Sequence, residues 1–127
     1  MIVAIDGPAG SGKGTVTKLI AKRMGLINLD TGATYRCVAL ETIRRGLTLE
    51  EKQKIIDLVD DLDIEFEYEN DDIKVFLNGE DVTSEIRNME VTKIVSQVSS
   101  IVAVRLKMVE LQRRMAKGKD VIMEGRD

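Results

Sequence analysis

Gly7, Gly12 and Lys13 fall on the spacing G-x-x-x-x-G-K, with Gly14 where a Ser or Thr usually completes the pattern and Thr15 one residue later. An apolar run, Ile2, Val3 and Ile5, comes just before, and Val16, Leu19, Ile20 and Met24 follow at helical spacing. In a strand–loop–helix setting, the run Gly7, Pro8, Ala9, Gly10, Ser11, Gly12, Lys13, Gly14, Thr15 can curl so that successive backbone N–H groups converge. The start of the following helix adds partial positive charge, and Lys13 adds a full one. The chemistry of such a loop is the seating of a polyphosphate. The Thr15 hydroxyl lies about 100° further round the helix than the usual one. It is therefore expected to reach Mg²⁺ indirectly, through water, with the phosphates as the main ligands.

A second cluster follows in "LDTGATYR", residues 29–36. Thr31 and Gly32 at a helix start offer N–H groups and a hydroxyl, and Arg36, about a turn on, can fork onto a phosphate. The bland alternative is a capped helix with its arginine in solvent. Ser96 and Arg105, taken alone, read as solvated helix residues. Arg126 and Asp127 read either as a surface ion pair or, if they end a parallel strand, as part of a site. Asp6 is expected to organise the Gly-rich loop.

The composition narrows the chemistry. The 127 residues hold no histidine, so neither a Ser–His–Asp relay nor a His-ligated metal is built from them. A net charge of −3 argues against a general nucleic-acid binder. The single cysteine, Cys37, has no partner for an internal disulfide and reads as a buried thiol in a reducing compartment. No apolar run approaches the ~18 residues of a membrane span. A cytoplasmic location is expected.

The elements that must position these residues are legible in the period of the apolar residues. Residues 1–5 read as a buried parallel strand, 15–24 as a helix and 26–29 as a second short strand. Asp30–Thr31–Gly32 opens a helix to about Arg45, stopped by Gly46. Thr48 and Glu51 resemble a capping box that would start a helix at 48 and run to about Leu62. In "IEFEYE" Ile64, Phe66 and Tyr68 alternate with glutamates, which predicts a strand with one buried face. Ile73–Leu77 pairs with it, and Asn78–Gly79 marks a tight turn. The helical period returns from Glu90 to Lys117, carried by Val91, Ile94, Val98, Val102, Leu106 and Val109, with Ser99–Ser100 as a break between two helices. Val121–Met123 closes the pattern as another buried strand. The fold class is α/β, with a compact antiparallel insertion at about 63–84. Three core strands are fewer than such a sheet normally holds. The chain is therefore expected to be the N-terminal part of a longer protein.

"GPAGSGKGT" resembles the GKGT loop of nucleoside monophosphate kinases, and "DTGATYR" is similar to the cytidylate kinase motif D-[ST]-G-x-x-Y-R. Adenylate kinases carry a related motif, usually without the Tyr. "VFLNGEDVTSEIR", "VSQVSSIVAVR" and the closing "EGRD" resemble the bacterial cytidylate kinases in the same order, so the resemblance spans essentially the whole chain. It implies a P-loop NTPase-type three-layer fold with a parallel sheet, in one domain over 1–127, and an inserted monophosphate-binding region over 63–100. It implies ATP as donor, Mg²⁺ as cofactor, CMP or dCMP as acceptor, and no nucleic acid or membrane partner. A monomer is expected. Carried over by residue, Arg36 and Arg126 match positions that hold the acceptor phosphate, Ser96 and Arg105 match positions near the cytosine edge, and Asp127 matches an acidic position by the acceptor nucleotide. Lys13 and Arg126 take the catalytic roles, and Thr31 stands among the substrate-binding positions. The family continues past "GRD" with a basic lid, so these 127 residues alone are expected to be nearly inactive. Three rivals remain: a kinase for UMP or AMP, a P-loop regulatory module, and a truncated, non-catalytic fragment that folds incompletely. Against the second, no N-K-x-D base-reading motif is present.

Overall fold

The computed structural model describes residues 2–5, 27–69, 72–117 and 121–124. Among the described residues, two small sheets are joined by four helices. Strands β1 (Ile2–Ile5), β2 (Ile27–Asp30) and β6 (Val121–Glu124) form the first sheet in the order β1–β6–β2, all parallel. The middle strand comes last in the described chain. Its register sets Glu124 opposite both Ile5 and Asp30, so all three strands end at one edge.

Helix α1 (Thr31–Arg44) leaves β2 without a loop. Asp30 makes the switch possible: its backbone is extended and its carboxylate accepts the Ala33 N–H at 3.1 Å. A Cβ on Gly32 would sit 3.3 Å from that carboxylate oxygen, which is the reason for the smallest residue there. Ala33, Cys37 and Leu40 recur along one face and are buried, with Val38 and Ala39 beside them.

Helix α2 (Lys52–Leu58) runs into a 3-10 turn at Val59–Asp61. The expected start at 48 and smooth run to Leu62 are both corrected. Glu51 is the N-cap, and only half of the box forms: the Glu51 carboxylate accepts the Thr48 N–H at 3.1 Å, so that it closes a turn in front of the helix rather than its first turn. Ile55 and Leu58 are fully buried. Beyond them Asp60 and Asp61 are exposed and the helix tightens.

The second sheet is antiparallel: β3 (Ile64–Glu69), β4 (Asp72–Leu77) and β5 (Glu80–Asp81). Asn78 and Gly79 both have positive φ, 50° and 84°, as a two-residue primed turn requires. Ile64 is buried and Phe66 half-buried, but Tyr68 is 39% exposed. The expected buried face thus holds at the start of β3 and lapses at its end.

A second 3-10 turn (Glu85–Arg87) leads to α3 (Met89–Ser99), capped by the Asn88 side chain on the Val91 N–H at 2.8 Å. Helix α4 (Val102–Ala116) follows after the break expected at Ser99–Ser100. That break has a consequence the apolar period did not foretell. Val102, Leu106 and Val109 extend the stripe of a continuous helix, yet all three are exposed. The interruption resets the phase, and Val104, Met108 and Leu111 face inward instead.

One core joins the helices to the antiparallel sheet. Ala33, Cys37, Val38 and Leu40 of α1 join Ile55 and Leu58 of α2, Val75 and Leu77 of β4, Ile86, Val91 and Val98, and Met108 of α4. Truncating Leu58 to Ala should cost about 2–5 kcal/mol in urea unfolding, whereas Glu65→Ala on the wet face of β3 should stay within about 0.5 kcal/mol.

Candidate functional site

Three segments singled out in the sequence begin where the three parallel strands end. The Gly-rich loop follows Ile5, the "TGATYR" turn follows Asp30, and Gly125–Arg126–Asp127 follows Glu124. The register brings the strand ends Ile5, Asp30 and Glu124 to one edge, the carboxyl edge at which open parallel sheets bind ligands. Gly7 through Thr15, Lys13 among them, and Arg126 and Asp127 lie outside the described residues.

The described half of the site is the first two turns of α1. Thr31 opens the helix, and its carbonyl accepts from the Thr34 hydroxyl. Thr34 is fully buried, and the Gln112 side-chain amide, itself 7% exposed, donates to its hydroxyl oxygen at 3.1 Å. This buried polar link ties α1 to α4 behind the turn that presents Thr31. Pattern reasoning did not find it. The visible signal was a glutamine at 112 on the same helical face as Met108, where an apolar residue would be expected.

Arg36 is not in solvent. Its Nη1 donates to the Ile86 carbonyl at 3.0 Å and to the Thr92 hydroxyl at 3.1 Å. Next to it, the Tyr35 phenol is held above its ordinary pKa by burial, opposed by the nearby positive charge of Arg105. Arg105 itself is exposed on α4. Ser96 lies exposed on α3, where its carbonyl accepts from the Ser99 hydroxyl at 3.0 Å.

Further along α1, Arg44 forks onto Glu80 at 2.9 and 3.0 Å and also pairs with Glu85. Helix α1 is thus tied at two places, by Arg36 to Ile86 and Thr92 and by Arg44 to Glu80 and Glu85. A cavity of about 680 Å³ opens elsewhere, between β3 and the end of α4, lined among others by Leu29, Phe66, Tyr68, Arg114 and Lys117. Among the described residues, none of the expected site positions lines it. No described helix is long and apolar enough to cross a membrane. Among the described residues no group of three or more His, Cys, Asp or Glu side chains is placed to hold a metal ion.

A strand-edge site fed by a Gly-rich loop and a capped, arginine-bearing helix is the arrangement of a phosphate-handling α/β protein. The family model described as cytidylate kinase matches residues 3–127, and the chain belongs to that family. Proteins named cytidylate kinase are similar along its length. That of Lactobacillus gasseri is 51% identical over 127 residues, covering 100% of this chain and 55% of the relative. That of Pelotomaculum thermopropionicum is 50% identical, covering 98% and 56%. That of Caldicellulosiruptor bescii is 45% identical over 125 residues, covering 98% and 55%. The chain thus spans just over half the length of these curated relatives.

Two buried groups in α1 give measurable signatures. Thr34→Val strands the Gln112 amide and should cost about 1–3 kcal/mol in urea unfolding, with the double change Thr34→Val, Gln112→Leu recovering part of it. The Cys37 thiol, fully buried, is pushed up to about 12 by desolvation from an ordinary 9.0. Its folded pKa lies above the unfolded one, so its contribution to stability is intact below pH 9 and is lost as pH rises towards 12. From pH 8 to pH 10 the protein should lose about 1.4 kcal/mol more than its Cys37→Ala variant.

Proposed function

We propose that the protein phosphorylates CMP or dCMP with ATP, giving CDP or dCDP. The observation that carries the reading is the common register of Ile5, Glu124 and Asp30, which starts the three motif segments at one edge of a parallel sheet. The relatives named cytidylate kinase, about half identical to this chain, support the choice of acceptor. The fold is then of the P-loop NTPase type, with residues 63–100 as the inserted monophosphate-binding region.

The loop amides from Gly7 to Thr15 and the Lys13 ammonium hold the ATP phosphates. Arg36 and Arg126 hold the acceptor phosphate in line, with Thr31 at the helix start beside it. Ser96 and Arg105 read the cytosine edge, and Asp127 sits by the acceptor nucleotide. An ionised phosphate is already a nucleophile, so no general base is needed. The work is positioning and charge stabilisation. The donor set from Gly7 to Thr15 is amides, the Lys13 ammonium and the hydroxyls of Ser11 and Thr15, which fits a cation carried by the triphosphate. Mg²⁺ would neutralise developing charge there, with Thr15 touching it through water. The insertion closes over the monophosphate and excludes water, which suppresses ATP hydrolysis. The protein works as a monomer in the cytoplasm.

A coupled assay on the intact protein with CMP, dCMP, UMP and AMP tests the assignment. CMP or dCMP should give the highest kcat/KM; a preference for UMP or AMP, or slow ATP hydrolysis indifferent to every monophosphate, would overturn it. Arg36→Ala should raise the KM for CMP by roughly a hundredfold, because a charged phosphate loses its forked partner.

A further inference from the structure

Arg36 reaches across to a part of the chain 50 residues away, and both of its described anchors there are themselves held. The Ile86 carbonyl belongs to the 3-10 turn Glu85–Arg87, whose Ile86 side chain is fully buried. Thr92 stands in the first turns of α3. Its backbone N–H and its hydroxyl both donate to the Asn88 carbonyl, at 3.0 and 2.9 Å. With its proton given to Asn88, the Thr92 hydroxyl presents only lone pairs to the Arg36 guanidinium, which donates at 3.1 Å. Asn88 is fixed in turn by capping Val91, whose side chain is buried.

A guanidinium is a rigid planar fork, so holding one nitrogen from two directions sets the plane of the whole group. We infer that Thr92 is a positioning residue for the acceptor site: it presets the orientation in which Arg36 receives the monophosphate's phosphate. The inference rests on the reading of Arg36 as an acceptor-phosphate ligand. It assigns to the start of α3 a role in the transfer step, exercised through Arg36 and not by touching the nucleotide.

The test is steady-state kinetics on the intact protein with Thr92→Val, Thr92→Ser, Arg36→Ala and the double variant. Thr92→Val should raise the KM for CMP roughly tenfold, since a misaligned clamp loses much of its preorganised binding. The KM for ATP should stay unchanged, and Thr92→Ser should restore the CMP value. On the Arg36→Ala background Thr92→Val should add nothing, because its effect passes through the arginine. A purely structural role would lower the melting temperature and move both KM values together. That outcome, a silent Thr92→Val, or an additive double variant each overturns the inference. Should Thr92→Val not fold, Thr92→Ala is compared with Thr92→Ser by the same criteria. If the unsubstituted protein turns over no CMP, the acceptor-site reading falls and the inference falls with it. If it turns over CMP normally while Thr92→Val is silent, the positioning role alone is wrong.

Discussion

A single hydrogen-bonding pattern underlies the arrangement: β6 lies between β1 and β2 and runs parallel to both. Parallel strands cannot be joined by tight hairpins, so the chain must cross back between them and leave each from the same edge. With Glu124 level with Ile5 and Asp30, the strand ends are only two strand spacings apart, about 10 Å between β1 and β2. Residues far apart in sequence need no long side chains to converge there. The sheet delivers their backbones.

At the β2 end the convergence is refined by one carboxylate. Asp30 closes the strand and caps α1, and its carboxylate would sit close against a Cβ at Gly32, the second residue of that helix. The exposed amides of a helix N-terminus are an anion site by construction. Behind them the buried Thr34–Gln112 link fixes the turn against α4. A buried amide with its partner in place contributes modestly to stability, but a misplaced one is costly, so such a link penalises other packings of the turn.

What the sequence disclosed and what it hid follow from range. The short parallel strands, the capped start of α1, the primed turn at Asn78–Gly79 and the break near Ser100 are local events, written in neighbouring residues. Thr48 and Glu51 misled because a capping-box pattern specifies a hydrogen bond, which formed, but not the helix start, which came later. The face of α4 misled because two residues between helices suffice to rotate a stripe, and residue spacing carries no record of that rotation. At the site, the pattern "DTGATYR" was legible, but the partners of its arginine and its second threonine were not. Thr92 lies 56 residues from Arg36 and Gln112 lies 78 from Thr34. No periodicity links such pairs. Only the packed chain brings them into contact.

The division of labour between apolar and polar contacts explains how the antiparallel region acts on the site. Ile86, Val91, Val98, Val75 and Leu77 share one core with Ala33, Cys37, Val38 and Leu40 of α1. Close-packed interiors transmit displacement and do not absorb it, so the region and the helix behave as one body. The exposed pairs of Arg44 with Glu80 and Glu85 add little to stability, as surface ion pairs do. Their effect is on direction: they and the Arg36 contacts fix where the region sits along the helix axis.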